Sequence, residues 1–177
     1  MQQPDHQPSS PSSQTPRDTA VGGLIANAIR KLEAAGALET AELKPTEDEQ
    51  ADAREKMYLV TQALCDEGNF LQAAPLAMSL AINSPYNARF HFIAGRAFQR
   101  LGVFNVAQTF YEHSMREGES ALSMYRLAEC LAGQGKGKKA IEHFDRAFEL
   151  GRENDQYRAL QDSAMNAIER IRKQSMK

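Results

Sequence analysis

Few residues in this 177-residue chain have the types and spacing to do chemistry. The best candidate is GQGKGKKAIEHF, Gly133 to Phe144, where three glycines and three lysines stand before a run that can open a helix. A phosphate-cradling loop of the Walker type needs Gly, four residues, then Gly-Lys and a hydroxyl residue, because backbone N–H groups wrap the phosphates while the hydroxyl holds magnesium. Here Ala132 stands where the first Gly should be, and Lys139 stands where the hydroxyl should be. The preceding MYRLAECL, Met124 to Leu131, spaces its apolar residues as a helix does and not alternately as a strand does. The glycines therefore need another explanation.

The remaining candidates are weaker. His6, His91, His113 and His143 lie far apart, and none has a His, Cys or Asp three or four residues on to complete a metal site. His91 is read as a packed histidine, and His113 and His143 as solvated ones. Cys65 and Cys130 stand alone, without a CxxC pair. Glu129 adjoins Cys130, but no basic neighbour activates the thiol, so Cys130 reads as a small packing residue. The expectation is a protein that is not an enzyme, with no catalytic residue, no metal and no cofactor.

Composition points the same way. Lys and Arg number 21 against 23 Asp and Glu, interspersed, which leaves a net charge of -2 and no basic footprint for nucleic acid or an anionic membrane. No apolar run approaches the ~20 residues of a membrane span, and no export signal is visible, so the expected location is the cytoplasm. Residues 1–20 hold four of the seven prolines among Ser and Gln, and are read as a disordered tail. With tryptophan absent and aromatics at 7%, the core must rest on Ala, Leu, Ile and Met, a mixture that favours packed helices.

The elements that position these residues emerge from a repeat. CDEGNFLQAAPLA, QRLGVFNVAQTFY and AGQGKGKKAIEHF each place a Gly (Gly68, Gly102, Gly135) five residues before an Ala (Ala73, Ala107, Ala140), at offsets of 34 and 33. That period is the signature of the tetratricopeptide repeat, a pair of helices A and B that stacks on its neighbours. The repeats are expected over Arg54–Asn87, Ala88–Ser120 and Ala121–Asn154. The small pair of helix A falls at Ala94-Gly95 in the second unit and at Leu127-Ala128 in the third, and packing aromatics fall at Phe98, Tyr111 and Phe144. The first unit departs most, with Thr61 for the small Gly and Ala77 for the helix B aromatic. Thr46 and Glu49 form a capping box that starts helix A of that unit early, and Pro85 stops its helix B.

The expected fold is all-α: three repeats in a right-handed superhelical stack over 46–154, an N-terminal amphipathic helix with its linker over 21–45, and a capping helix over 155–177. Ala159, Leu160, Ser163, Ala164, Ala167, Ile168 and Ile171 recur at helical spacing in the cap. Upstream, Leu24, Ile25, Ile29 and Leu32 form an apolar stripe that predicts self-association.

NSPYNARFHFIAGRAFQRLGVFNVAQTFY and LSMYRLAECLAGQGKGKKAIEHFDRAFEL resemble the class II type III secretion chaperones of Gram-negative bacteria. The likeness covers about residues 50 to 150, and its more distinctive parts are the Tyr-x-x-Arg-Phe of Tyr86 to Phe90 and Ala128 to Cys130 before the Gly turn. It implies a cytosolic chaperone that holds two hydrophobic translocator proteins soluble before export, acting as a homodimer. Some relatives also partner a transcriptional activator. Where those relatives carry further aromatics after the one matching Tyr58, this chain has Gln62 and Cys65. A generic repeat scaffold is the alternative reading.

Helices A make the inner wall of such a stack, and their fifth repeat position faces the groove. That position holds Tyr58, Phe92 and Tyr125. Gln62, Arg96, Gln99 and Glu129 are expected one turn further along, bonding a peptide backbone, while Val60, Leu64, Phe98, Leu127 and Leu131 fill the core.

Overall fold

Thr46 starts the first helix by a reciprocal cap: its hydroxyl accepts from the Glu49 N–H at 3.2 Å, and the Glu49 carboxylate accepts from the Thr46 N–H at 2.8 Å. The structure, a computed structural model, describes residues 45–152 and 154–175. The expected tail of 1–20 and the stripe of Leu24, Ile25, Ile29 and Leu32 lie outside the described residues.

The described chain forms α1 (Glu47–Asp66), α2 (Phe70–Asn83), α3 (Ala88–Arg100), α4 (Phe104–Ser114), α5 (Ala121–Gly133), α6 (Gly137–Leu150) and α7 (Arg158–Ser175), with a 3-10 turn at Asp155–Tyr157. No strand occurs among the described residues. Helices α1 and α2, α3 and α4, and α5 and α6 are the A and B members of three repeats. Each A to B turn is built alike. Gly68, Gly102 and Gly135 have φ of 81°, 77° and 75°, a left-handed conformation that costs glycine nothing. The next residue then donates its N–H to a carbonyl five positions back: Asn69 to Leu64, Val103 to Phe98 and Lys136 to Leu131, at 2.8, 3.0 and 2.9 Å. This is the Schellman ending of a helix, and it satisfies carbonyls that the helix end would leave bare.

The opening glycines of the third turn are thereby explained one by one. Gly135 supplies the left-handed residue. A Cβ on Gly133 would lie 2.8 Å from the Phe104 ring, and one on Gly137 would lie 3.0 Å from Ile171 of α7. All three serve packing and the bend.

Consecutive helices pack along the chain, and beyond them α1 touches α3, α3 touches α5, and α5 touches α7. The odd-numbered helices therefore form one wall, and α7 takes the place a fourth helix A would have. Two clusters fill the space between the layers. One gathers Cys65, Ala73, Ala74, Ala77, Ala81, Ile93, Ala94 and Ala97; the other centres on Tyr111 and Phe144, both fully buried, with Leu127, Leu131 and Ile168. Burying a side chain the size of Phe144 stabilises by roughly 1.5–3 kcal/mol, so these two rings anchor the stack. Gly95 admits Tyr111: a Cβ there would meet the ring at 2.8 Å.

Some placements differ from expectation. Val60, expected in the core, is 54% exposed, because α1 ends the described stack and only one side of it is covered. Ala159 and Ser163 face outward on α7, leaving Ala164, Ala167 and Ile168 to pack. His113 is not solvated but half-buried, edge-on to His91 at 5.3 Å between ring centroids. Pro75 lies inside α2, whose helix runs through it. The proline removes the N–H that would reach the carbonyl of Leu71, and that residue is exposed, so water can take the donor's place.

Candidate functional site

Three aromatics recur on the odd-numbered wall, and each is held by a different neighbour. Tyr58 of α1 packs on Phe90 of α3 at 5.6 Å, with the Arg89 guanidinium 4.3 Å above its ring. Arg89 is fixed in turn by Glu55 at 2.9 Å. Phe92 stands edge-on to Tyr111 at 5.6 Å, and Tyr125 stands edge-on to Phe144 at 5.3 Å. All three are half-buried, with one side packed and the other open.

The structure brings Tyr58 and Phe92 together but sets Tyr125 apart. Tyr58, Phe92 and Leu122 line one hollow of about 230 Å³, floored by Ser114 and Ser123. Those serines are buried and satisfied, since Ser114 donates its one proton to the carbonyl of Tyr111 at 2.7 Å and accepts from the Ser123 hydroxyl at 3.0 Å. Tyr125 instead lines hollows of about 240 and 540 Å³ against α7.

A polar network crosses the wall further along these helices, and it holds most of the residues expected to bond a peptide backbone. Arg96 pairs with Asp66 at 2.8 Å. The Gln99 amide donates to Glu129 at 2.9 Å, and its oxygen accepts from the Tyr111 hydroxyl at 2.7 Å. Arg126, which the sequence reading left out, pairs with Glu129 at 2.8 Å. Arg96, Gln99 and Glu129 thus tie α1, α3, α4 and α5 together. Gln62 is exposed on α1. Burial, with charges such as Glu129 nearby, raises the pKa values of Tyr111 and Tyr125, so both rings stay neutral and the Tyr111 hydroxyl remains a donor.

Cysteine chemistry finds no support. Burial, then Glu129, pushes the Cys130 thiol up to about 12, and burial raises Cys65 as well. Both are buried thiols at neutral pH, poor nucleophiles. Among the described residues no cluster of His, Cys, Asp and Glu is placed to hold a metal ion, and no helix is long and apolar enough to cross a membrane.

No protein-family model matches the chain, and no curated protein matches it significantly. Solved structures do. SycD, the type III secretion translocator chaperone of Yersinia enterocolitica, was solved with a peptide of the translocator YopD; it is 22% identical over 70% of this chain and 95% of its own, with a TM-score of 0.65. PcrH of Pseudomonas aeruginosa, solved with the chaperone binding region of PopD, is 21% identical over 71% of this chain and 95% of its own, with a TM-score of 0.66. The chain has the fold of the translocator chaperones. The tetratricopeptide domain of Arabidopsis OM64 also matches, at 20% identity over 69% of this chain and 96% of its own, with a TM-score of 0.60. The fold is therefore wider than one activity, and the site must carry the functional argument.

Proposed function

We propose that this protein is a cytoplasmic, non-enzymatic chaperone that holds an extended segment of a hydrophobic translocator against its odd-numbered helices. One observation carries the reading: Tyr58 and Phe92 present their open sides to a shared apolar hollow on the fold of SycD and PcrH. Rings of this kind lose little side-chain entropy on binding and are common energetic anchors. The bonds of Arg96 to Asp66 and of Gln99 to Glu129 support a stiffening role for these residues in the wall, with any peptide contact secondary.

A second reading draws on a different hollow, of about 310 Å³, where Arg96, Arg100 and Arg126 converge. Such a cluster suits a carboxylate clamp on a scaffold for acidic tails. Asp66 and Glu129 already occupy two of the three guanidinium groups, which favours the first reading.

Purification of the tagged chain from its own host tests both. Two co-purifying proteins with long apolar segments are expected, and recovery of heat-shock proteins alone would sink the chaperone. Phe92→Ala is expected to weaken capture by about 2 kcal/mol or more while helicity stays intact. A variant that keeps full capture and melts early would return Phe92 to the core.

A further inference from the structure

The last helix does more than close the stack. Ser163, Asn166, Arg170 and Lys173 follow one another at intervals of three, four and three residues, which puts them on one face of α7. That face looks across at Tyr125, and together these residues line the hollow of about 540 Å³. The adjoining hollow of about 240 Å³ has an apolar floor of Phe144, Ala167 and Ile171, with Tyr125, Arg170 and the carboxylate of Glu129 also in its lining.

Charge decides what fits there. Glu129 is engaged by Arg126 and Gln99, at 2.8 and 2.9 Å, and Glu169 by Lys173 at 3.6 Å. Arg170 is exposed and has no carboxylate within ion-pair distance among the described residues. The hollow thus keeps one unmatched guanidinium beside an aromatic ring and directly above an apolar floor.

We propose that this corner is a subsite for an acidic residue with an aliphatic neighbour, at the far end of the segment bound along the wall. The inference rests on reading the odd-numbered wall as peptide-binding. The aliphatic side chain enters the floor of Phe144, Ala167 and Ile171, and the carboxylate takes two parallel N–H bonds from Arg170, a geometry that a planar guanidinium supports and an ammonium does not. Direction follows as well: a segment that crosses Phe92 and continues past Tyr125 arrives at Arg170 with only one end, so the acidic residue fixes its polarity.

The test uses fluorescein-labelled synthetic peptides of one extended, Pro- and Leu-containing sequence. One pair ends in Glu or Gln, and the other pair begins with Glu or Gln, each titrated by anisotropy against the full chain. In one pair the Glu peptide is expected to bind about three- to tenfold tighter than its Gln twin, with the advantage shrinking at high salt. Arg170→Gln should abolish that advantage, and Arg170→Glu should pass it to a Lys-bearing peptide. Phe92→Ala should weaken both members of a pair alike. Equal binding of Glu and Gln peptides by the wild type, or an advantage that survives Arg170→Gln, overturns the subsite and leaves the wider reading in place. Wild-type affinity in the folded Phe92→Ala protein overturns the wider reading itself.

Discussion

The first and third repeats share a turn and a topology, yet they bury their residues very differently. Helix α5 of the third repeat buries Ala121, Ser123, Met124, Leu127, Ala128, Cys130 and Leu131, whereas α1 of the first buries only Thr61 and Cys65. The third has the second repeat on one side and α7 on the other. The first has a described neighbour on one side alone, and leaves Leu71 80% and Ile82 67% exposed. In a stacked array each unit draws stability from the interfaces it shares, so position in the array outweighs the motif.

Removing the third repeat's anchor should produce the largest effect. Phe144→Ala is expected to cost about 3–5 kcal/mol by urea denaturation, because a fully buried ring leaves a cavity that neighbouring helices close only in part. Ile82→Ala on the first repeat should stay within about 0.5 kcal/mol. Similar losses at both sites would mean that Ile82 is covered in solution and that the contrast is false. Native-state hydrogen exchange sharpens the same point, with amides of α1 and α2 expected to open before those of α5 and α6.

A smaller effect is expected in the second repeat, between the two extremes. Ala107 is fully buried, and Tyr111 one turn on fills the space left by Gly95. Ala107→Leu inserts bulk with nowhere to go, so a loss of about 1–3 kcal/mol in thermal or urea unfolding is expected. A neutral result would show that helices α3 and α4 can slide apart, and would place the second repeat with the first.

Much of this was legible in the sequence because the repeat imposes identical local physics three times. The Gly-to-Ala interval marked each turn, Thr46 and Glu49 announced their cap, and Tyr111 and Phe144 fell at positions with room for one large ring. The candidate site was less legible, since it depends on which helices touch. Sequence spacing put Tyr58, Phe92 and Tyr125 in one line; in the structure Tyr58 and Phe92 share a hollow, while Tyr125 lines hollows against α7. Arg126 went unread because its role exists only opposite Glu129 and beside α3. Arg170 had a visible signal in the spacing of Ser163, Asn166, Arg170 and Lys173, but the reading of α7 followed its apolar residues and counted Ser163 among them. Val60 failed for the reason that separates the two repeats: an inward place in the motif is buried only when a neighbour covers it.

The smallest expected effect probes the seam between first and second repeats. His91 is buried, and one of its ring nitrogens, Nε2, lies 2.9 Å from the carbonyl of Pro85, two residues beyond the first repeat's last helix. Its ring faces Phe110 and His113 of α4. Burial, then Arg116 and His91, lower the pKa of His113 below its ordinary value, and Glu112 opposes them only weakly. The folded chain therefore takes up the His113 proton at a lower pH than the unfolded chain does. Stability from this group is complete above about pH 6.5 and is lost as pH falls below that value, until the folded-state pKa is passed. His113→Asn removes the titration, so its unfolding midpoint should fall less steeply than the wild type's between neutral and mildly acidic pH, and Arg116→Gln should show the same change in weaker form. Parallel pH profiles for wild type and His113→Asn would show that the seam is indifferent to the charge on this ring, and that the two repeats differ in coverage alone.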